Sequence, residues 1–82
     1  MNKIEYVVGS MTLREAKEGT EYIIRAINTQ DEELNAFLFS LGCYEGEAVT
    51  VIAQRGSGCT VSIKDGRYSI DKQLAAAIEV NE

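Results

Sequence analysis

The apolar residues change rhythm several times along the chain, and the changes mark its elements. From Glu21 to Ile27 they alternate, with Tyr22, Ile24 and Ala26 on one face of a predicted strand and Ile23, Arg25 and Ile27 on the other. Asn28, Thr29, Gln30 and Asp31 are turn and cap formers. Beyond them Leu34, Phe37, Leu38 and Leu41 fall at i, i+3, i+4 and i+7, which predicts a helix with one apolar stripe facing a core. Within LGCYEGEAVTVI, Leu41 to Ile52, the helical spacing gives way to alternation. Gly42 can take positive φ and stop the helix, and Glu45-Gly46 turns the chain into a strand from Glu47 to about Gln54. Val49, Val51 and Ala53 share one face of that strand; Thr50 and Ile52 share the other.

The Gly56-Ser57-Gly58 loop returns the chain into a strand over Thr60 to Lys64, with Val61 and Ile63 inward. Asp65-Gly66 is the strongest short hairpin signal and leads into Arg67 to Ile70, with Tyr68 and Ile70 on one face. Asp71 is a good helix cap, Lys72 to Ala77 makes one Ala-rich turn, and Ile78-Glu79-Val80 closes as a short strand. Near the start, Thr12-Leu13-Arg14-Glu15 has the capping-box pattern, predicting a short helix over Leu13 to Glu18 that Gly19 ends. Residues 1–10 have no helical period. Ile4, Tyr6 and Val8 share one strand parity, so this N-terminal extension is a candidate edge strand ahead of a single domain over 11–82.

A chain of 82 residues buries only about 60 to 65% of the surface its unfolded form exposes, so its core must be compact. Short strands with a helix between the first and second favour a strongly bent sheet closed into a small barrel, the helix covering one open end. The predicted fold class is therefore mainly β: an SH3-like barrel of about five short strands, one amphipathic helix and short helical turns.

Charge and residue inventory then remove several functions. Thirteen acidic residues oppose eight basic ones for a net charge of −5, and the basic residues are spread singly, which disfavours nucleic-acid binding. No apolar run is long enough to span a bilayer, and no Lys/Arg-flanked apolar segment opens the chain, so the expected compartment is the cytoplasm. The sequence has no His, the commonest general base and metal ligand. Cys43 and Cys59 form no CxxC, and Glu32-Glu33 reads as a solvated helix face. No catalytic residue, metal site or cofactor is expected. A free Cys in such a protein is usually a small buried hydrophobe, although Cys59, between Gly58 and Thr60, is expected to be more exposed and more reactive than Cys43.

A protein without reactive groups works by contact. Phe39 lies off the helix stripe and, with Tyr44, is a candidate interface anchor; the alternative is that Phe39 packs on the N-terminal segment. Arg55, Ser57 and Cys59 at the hairpin tip form a second candidate, with an ordinary solvated loop as the alternative. With no Trp, four Tyr and two Phe, the chain is poorly equipped as a binder of proline-rich peptides. An exposed barrel edge, or residues 1–10, offers a means of weak homo-oligomerisation.

From Met11 to Val80 the chain resembles the FeoA family, small cytosolic accessory proteins of bacterial ferrous iron transport. The resemblance rests on MTLREAKEGTEY at the start, FLFSLGCYEGEAVTVI at the corner, and Tyr68-Ser69-Ile70 through Ala75 to Ile78-Glu79-Val80 at the close. The spacing Leu41-Gly42-Cys43-Tyr44-Glu45-Gly46 is its most diagnostic part. The same barrel is similar to the C-terminal domain of iron-dependent repressors. The sequence departs from the family where Asn35, Ala36 and Phe37 replace basic residues, where Glu45 replaces a Pro, and where Gly58-Cys59-Thr60 replaces Gly-Asp-Pro. The resemblance implies a non-enzymatic partner for FeoB, the membrane iron transporter with a cytosolic GTP-binding region, held near the inner membrane only through that partner. The alternative it leaves open is a stand-alone regulatory domain that binds a regulator protein. Lacking a helix-turn-helix, the chain has no means of reading operator DNA by itself.

Overall fold

A computed structural model of the chain describes residues 11–81; the candidate edge strand within residues 1–10 lies outside them. The elements are β1 (Met11–Thr12), β2 (Glu21–Ile27), α1 (Glu32–Leu41), β3 (Ala48–Arg55), β4 (Gly58–Ile63), β5 (Gly66–Asp71), α2 (Lys72–Ala77) and β6 (Ile78–Asn81). The strands form one antiparallel sheet in the order β1-β6-β2-β3-β4-β5. The fold class is as predicted: mainly β, with one longer and one short helix.

The inward faces follow strand parity. Tyr22 and Ile24 of β2, Val49 and Val51 of β3, Val61 and Ile63 of β4, Ile70 of β5 and Ile78 and Val80 of β6 are all buried in one core. Two register shifts, between Ile24 and Ala26 and between Val51 and Ala53, bend β2 and β3. The first also turns Ile27 toward the core, against its predicted face, because an unpaired residue resets the alternation. The ladder is open between β5 and β1. The short helix α2 spans that side, touching β1, β4, β5 and β6 and burying Leu74 and Ala75. α2, capped by Asp71 Oδ1 on the Leu74 N–H at 2.7 Å, closes this side of the core, while the longer helix α1 covers the core elsewhere through Leu38, with Leu34 packed beside it.

The segment before β2 differs from expectation. Thr12 and Glu15 do engage as a capping box would: Glu15 Oε1 accepts from the Thr12 N–H at 2.8 Å, and Thr12 Oγ1 accepts from the Arg14 N–H at 3.2 Å. No helix follows, and Leu13 to Glu15 forms a turn. Leu13 is fully buried and its N–H donates to Ile78 O at 3.1 Å, but it is further along that the helix is lost: the Lys17 N–H, which a helix would give to Leu13 O, donates to Tyr22 Oη at 3.0 Å, and Arg14 O accepts from Gln54 Nε2 at 3.3 Å. Glu18 Oε2 accepts from the Gln54 N–H at 2.8 Å and the Gly19 N–H donates to Val51 O at 2.8 Å, which straps the segment over β3.

The α1 stripe is narrower than its spacing implied. Leu38 is buried and Leu34 packs on the core, but Phe37 is 50% exposed. At about 100° per residue Phe37 lies at the far margin of the stripe from Leu38, and α1 meets the barrel along the Leu38 margin.

Candidate functional site

The corner between α1 and β3 is where sequence and geometry converge. Asp31 caps α1, its Oδ1 accepting from the Glu33 and Leu34 N–H groups at 3.0 and 3.2 Å. At the other end Gly42 adopts φ 89°, with its N–H on Phe39 O at 3.0 Å and the Cys43 N–H on Leu38 O at 2.9 Å. This is a Schellman termination, and its usual apolar contact is supplied by buried Cys43 and Leu38. The chain is then pinned to β2: the Gly46 N–H donates to Ile24 O and the Ile24 N–H to Glu47 O, both at 2.8 Å. The corner thus fixes both the direction of α1 and the start of β3 on one backbone position.

That clamp sets two aromatic side chains side by side. The rings of Phe39 and Tyr44 are 4.8 Å apart between centroids at 32°. Phe39 is 65% exposed, as expected from its place off the stripe, and Tyr44 is half-buried. Lys64 comes from the β4–β5 turn to place its Nζ 5.8 Å from the Tyr44 centroid and 3.0 Å from Glu47 Oε1. The hydrogen bond to Glu47, then its charge and that of Tyr44, raise the Lys64 pKa above its ordinary value. An open, shallow groove of about 550 Å³ runs beside these groups, lined by Phe39, Tyr44, Lys64 and Tyr68 among others.

The second set of predicted site residues does not join the first. Arg55 and Ser57 are exposed at the far tip of the β3–β4 hairpin, and Ser57 O is held by the Lys72 N–H at 3.0 Å. The length of β3 separates this tip from Tyr44 by roughly 20 Å. Cys59 is a correction: it is 3% exposed, because β4 begins at Gly58 and the parity of Val61 and Ile63 carries inward to it. Burial, with the Glu18 charge adding and Lys72 opposing, raises its thiol pKa. Burial raises that of Cys43 to about 11. Neither is an exposed thiolate. The expected hairpin turn also moves by one residue: Lys64-Asp65 make the turn, Lys64 taking φ 53°, and Gly66 already pairs with Ile63.

The sequence reading missed Lys64 and Glu47. The register Val49↔Ile63 sets them at the same end of the β3–β4 ladder, a relation recoverable only once the hairpin pairing is known. Among the described residues no group of three or more His, Cys, Asp or Glu side chains could hold a metal ion, and no helix is long and apolar enough to cross a membrane.

A model of the FeoA domain matches residues 11–82. The chain belongs to the FeoA domain family. Comparison with curated proteins gives no match. Among solved structures, a FeoA iron uptake regulatory protein superposes with a TM-score of 0.77 at 23% identity, covering 88% of this chain and 96% of that one. FeoA of Stenotrophomonas maltophilia in complex with zinc, described as a prokaryotic SH3-domain protein, gives 0.77 at 22% identity, covering 87% and 89%. A manganese-dependent transcriptional repressor gives 0.80 at 20% identity, covering 89% of this chain but 41% of the repressor. These likenesses show the fold. This FeoA domain shares the SH3-like barrel of both groups and spans less than half of the repressor.

Proposed function

We propose that the chain is a non-enzymatic accessory protein of ferrous iron uptake that acts by binding the cytosolic GTP-binding region of an FeoB-type membrane transporter. Membership of the FeoA family supports the pathway, and one observation supports the surface: the exposed Phe39 ring, stacked on Tyr44 at a corner held by backbone hydrogen bonds. Aromatic side chains that are rigid before binding lose little entropy on association and commonly anchor interfaces. Tyr44 and Lys64 border the same groove, so a partner seated on Phe39 meets polar groups around an apolar centre. The hairpin-tip residues Arg55 and Ser57 belong to a separate surface, and Cys59 to the core.

Calorimetric titration of the full chain with the isolated GTP-binding region, in nucleotide-free, GDP-bound and GTP-analogue-bound forms, tests this reading. Binding is expected in at least one state, weakened about tenfold or more by Phe39→Asp with an unchanged far-UV spectrum. Absence of association in every nucleotide state overturns the transporter reading in favour of the regulator-protein alternative. Association that Phe39→Asp leaves intact removes this surface from it.

A further inference from the structure

The β5 strand ends the sheet, and its outer side is unpaired among the described residues. Ile63 and Gly66 face each other across the two-residue Lys64-Asp65 turn, and Val61↔Tyr68 and Cys59↔Ile70 follow in unbroken register. In an antiparallel ladder closed by such a turn these are the pairs that exchange hydrogen bonds. Arg67, Ser69 and Asp71 therefore direct their backbone N–H groups away from β4, as Arg67 and Ser69 do their carbonyls. The side chains of all three are exposed. Edges that resist pairing are usually very short, bulged, charged, capped by Pro, or covered by a helix or loop. β5 is six residues long with no bulge and no Pro; α2 starts only at Lys72, past its end, and leaves the Arg67 and Ser69 side chains exposed, while its two charges are of opposite sign and so complement those of a second copy.

We propose that this edge pairs with the same edge of a second copy of the chain, antiparallel about a two-fold axis at Ser69. Charge selects the register. Centred on Ser69, the two Ser69 residues exchange N–H···O=C bonds, each Asp71 N–H donates to the other copy's Arg67 carbonyl, and each Arg67 guanidinium stands opposite an Asp71 carboxylate. Centring on Arg67 or on Asp71 instead opposes like charges, which disfavours pairing. Asp71 Oδ1 already caps α2, leaving Oδ2 for the guanidinium. On the other face of the strand Tyr68 lies opposite Ile70 of the second copy, extending the apolar side of the sheet across the axis. The interface is isologous, as two-fold dimers require, and small enough to form reversibly. It leaves Phe39 free and is independent of the transporter reading.

Sedimentation of the full chain from micromolar to millimolar concentration at low salt tests the proposal, together with concentration-dependent exchange of the Ser69 amide. A reversible dimer is expected, with the Ser69 amide more protected as dimer accumulates. Arg67→Glu, which sets a carboxylate opposite Asp71, and Asp71→Asn, which keeps the helix cap but removes the charge, are each expected to weaken it about tenfold. Added salt acts in the same direction, and Phe39→Asp leaves the dimer intact. A chain that stays monomeric at millimolar concentration overturns the proposal. So does a dimer insensitive to Arg67→Glu and Asp71→Asn, or one lost in Phe39→Asp.

Discussion

The methylene chain of Lys64 lies against the α-carbon of Gly42, so closely that a Cβ added at Gly42 would fall 2.8 Å from Lys64 Cε and 2.9 Å from Cδ. The contact joins the residue that ends α1 to the first residue of the β4–β5 turn, and both have positive φ, 89° and 53°. It carries the Lys64 ammonium to Glu47 and over Tyr44, so the helix stop and the aromatic corner are one packing unit.

Gly42→Ala is therefore expected to destabilise more than Gly46→Ala. Both positions are left-handed, and a side chain there costs about 1–2 kcal/mol. At Gly46, φ 93°, an added Cβ meets nothing within 4 Å, whereas at Gly42 it must also displace Lys64. Urea unfolding of the two variants measures the difference, and combining Gly42→Ala with Lys64→Ala is expected to reduce it. Equal losses for both glycines would show that the Lys64 contact contributes nothing.

Leu38→Ala and Phe37→Ala separate the two margins of α1. Leu38 is 1% exposed and Phe37 is 50% exposed. Truncating the buried Leu38 leaves a cavity, with an expected loss of about 2–4 kcal/mol; truncating Phe37 costs less than about 1 kcal/mol. Denaturant midpoints that ranked the two the other way would place the helix on the barrel by its Phe37 margin.

Both thiols are expected to react slowly with a thiol reagent on the native protein and quickly after denaturation, since both are buried. Modification of Cys59 at the rate of a free thiol in the folded chain would contradict the inward face of β4.

The Cys43 thiol also predicts an alkaline weakness. Its pKa rises from 9.0 to about 11 in the folded chain through burial. Below pH 9 the thiol is protonated whether the chain is folded or not, and its linkage costs nothing. Above pH 9 the unfolded chain releases the proton while the folded one retains it. Stability therefore falls as pH rises from about 9 through 11, by on the order of 2 kcal/mol in total. Cys43→Ala is expected to have a shallower loss over that interval than the parent chain, measured as unfolding free energy against pH. Parallel curves would show that Cys43 does not contribute.

Sequence alone determined the elements whose signals are local. Alternation marked β2, β3, β4, β5 and β6; Asp31 and Asp71 marked the two helix starts, and Gly42 the helix stop, because caps and turns act within four or five residues. Off-stripe position gave the exposure of Phe39. Tertiary structure decided whatever depends on competition between distant partners. Thr12 and Glu15 made their capping contacts, yet Tyr22 took the Lys17 amide and Gln54 the Arg14 carbonyl that a helix would have used, and none follows. The register of β4 turned Cys59 inward although the glycine beside it suggested exposure. Only the fold could bring Lys64 to Glu47 and Tyr44, since a ladder register and a turn geometry together set that meeting. Local signals are short-range sterics and hydrogen bonding. Which faces are finally covered is settled by a single shared core, whose packing no segment specifies by itself.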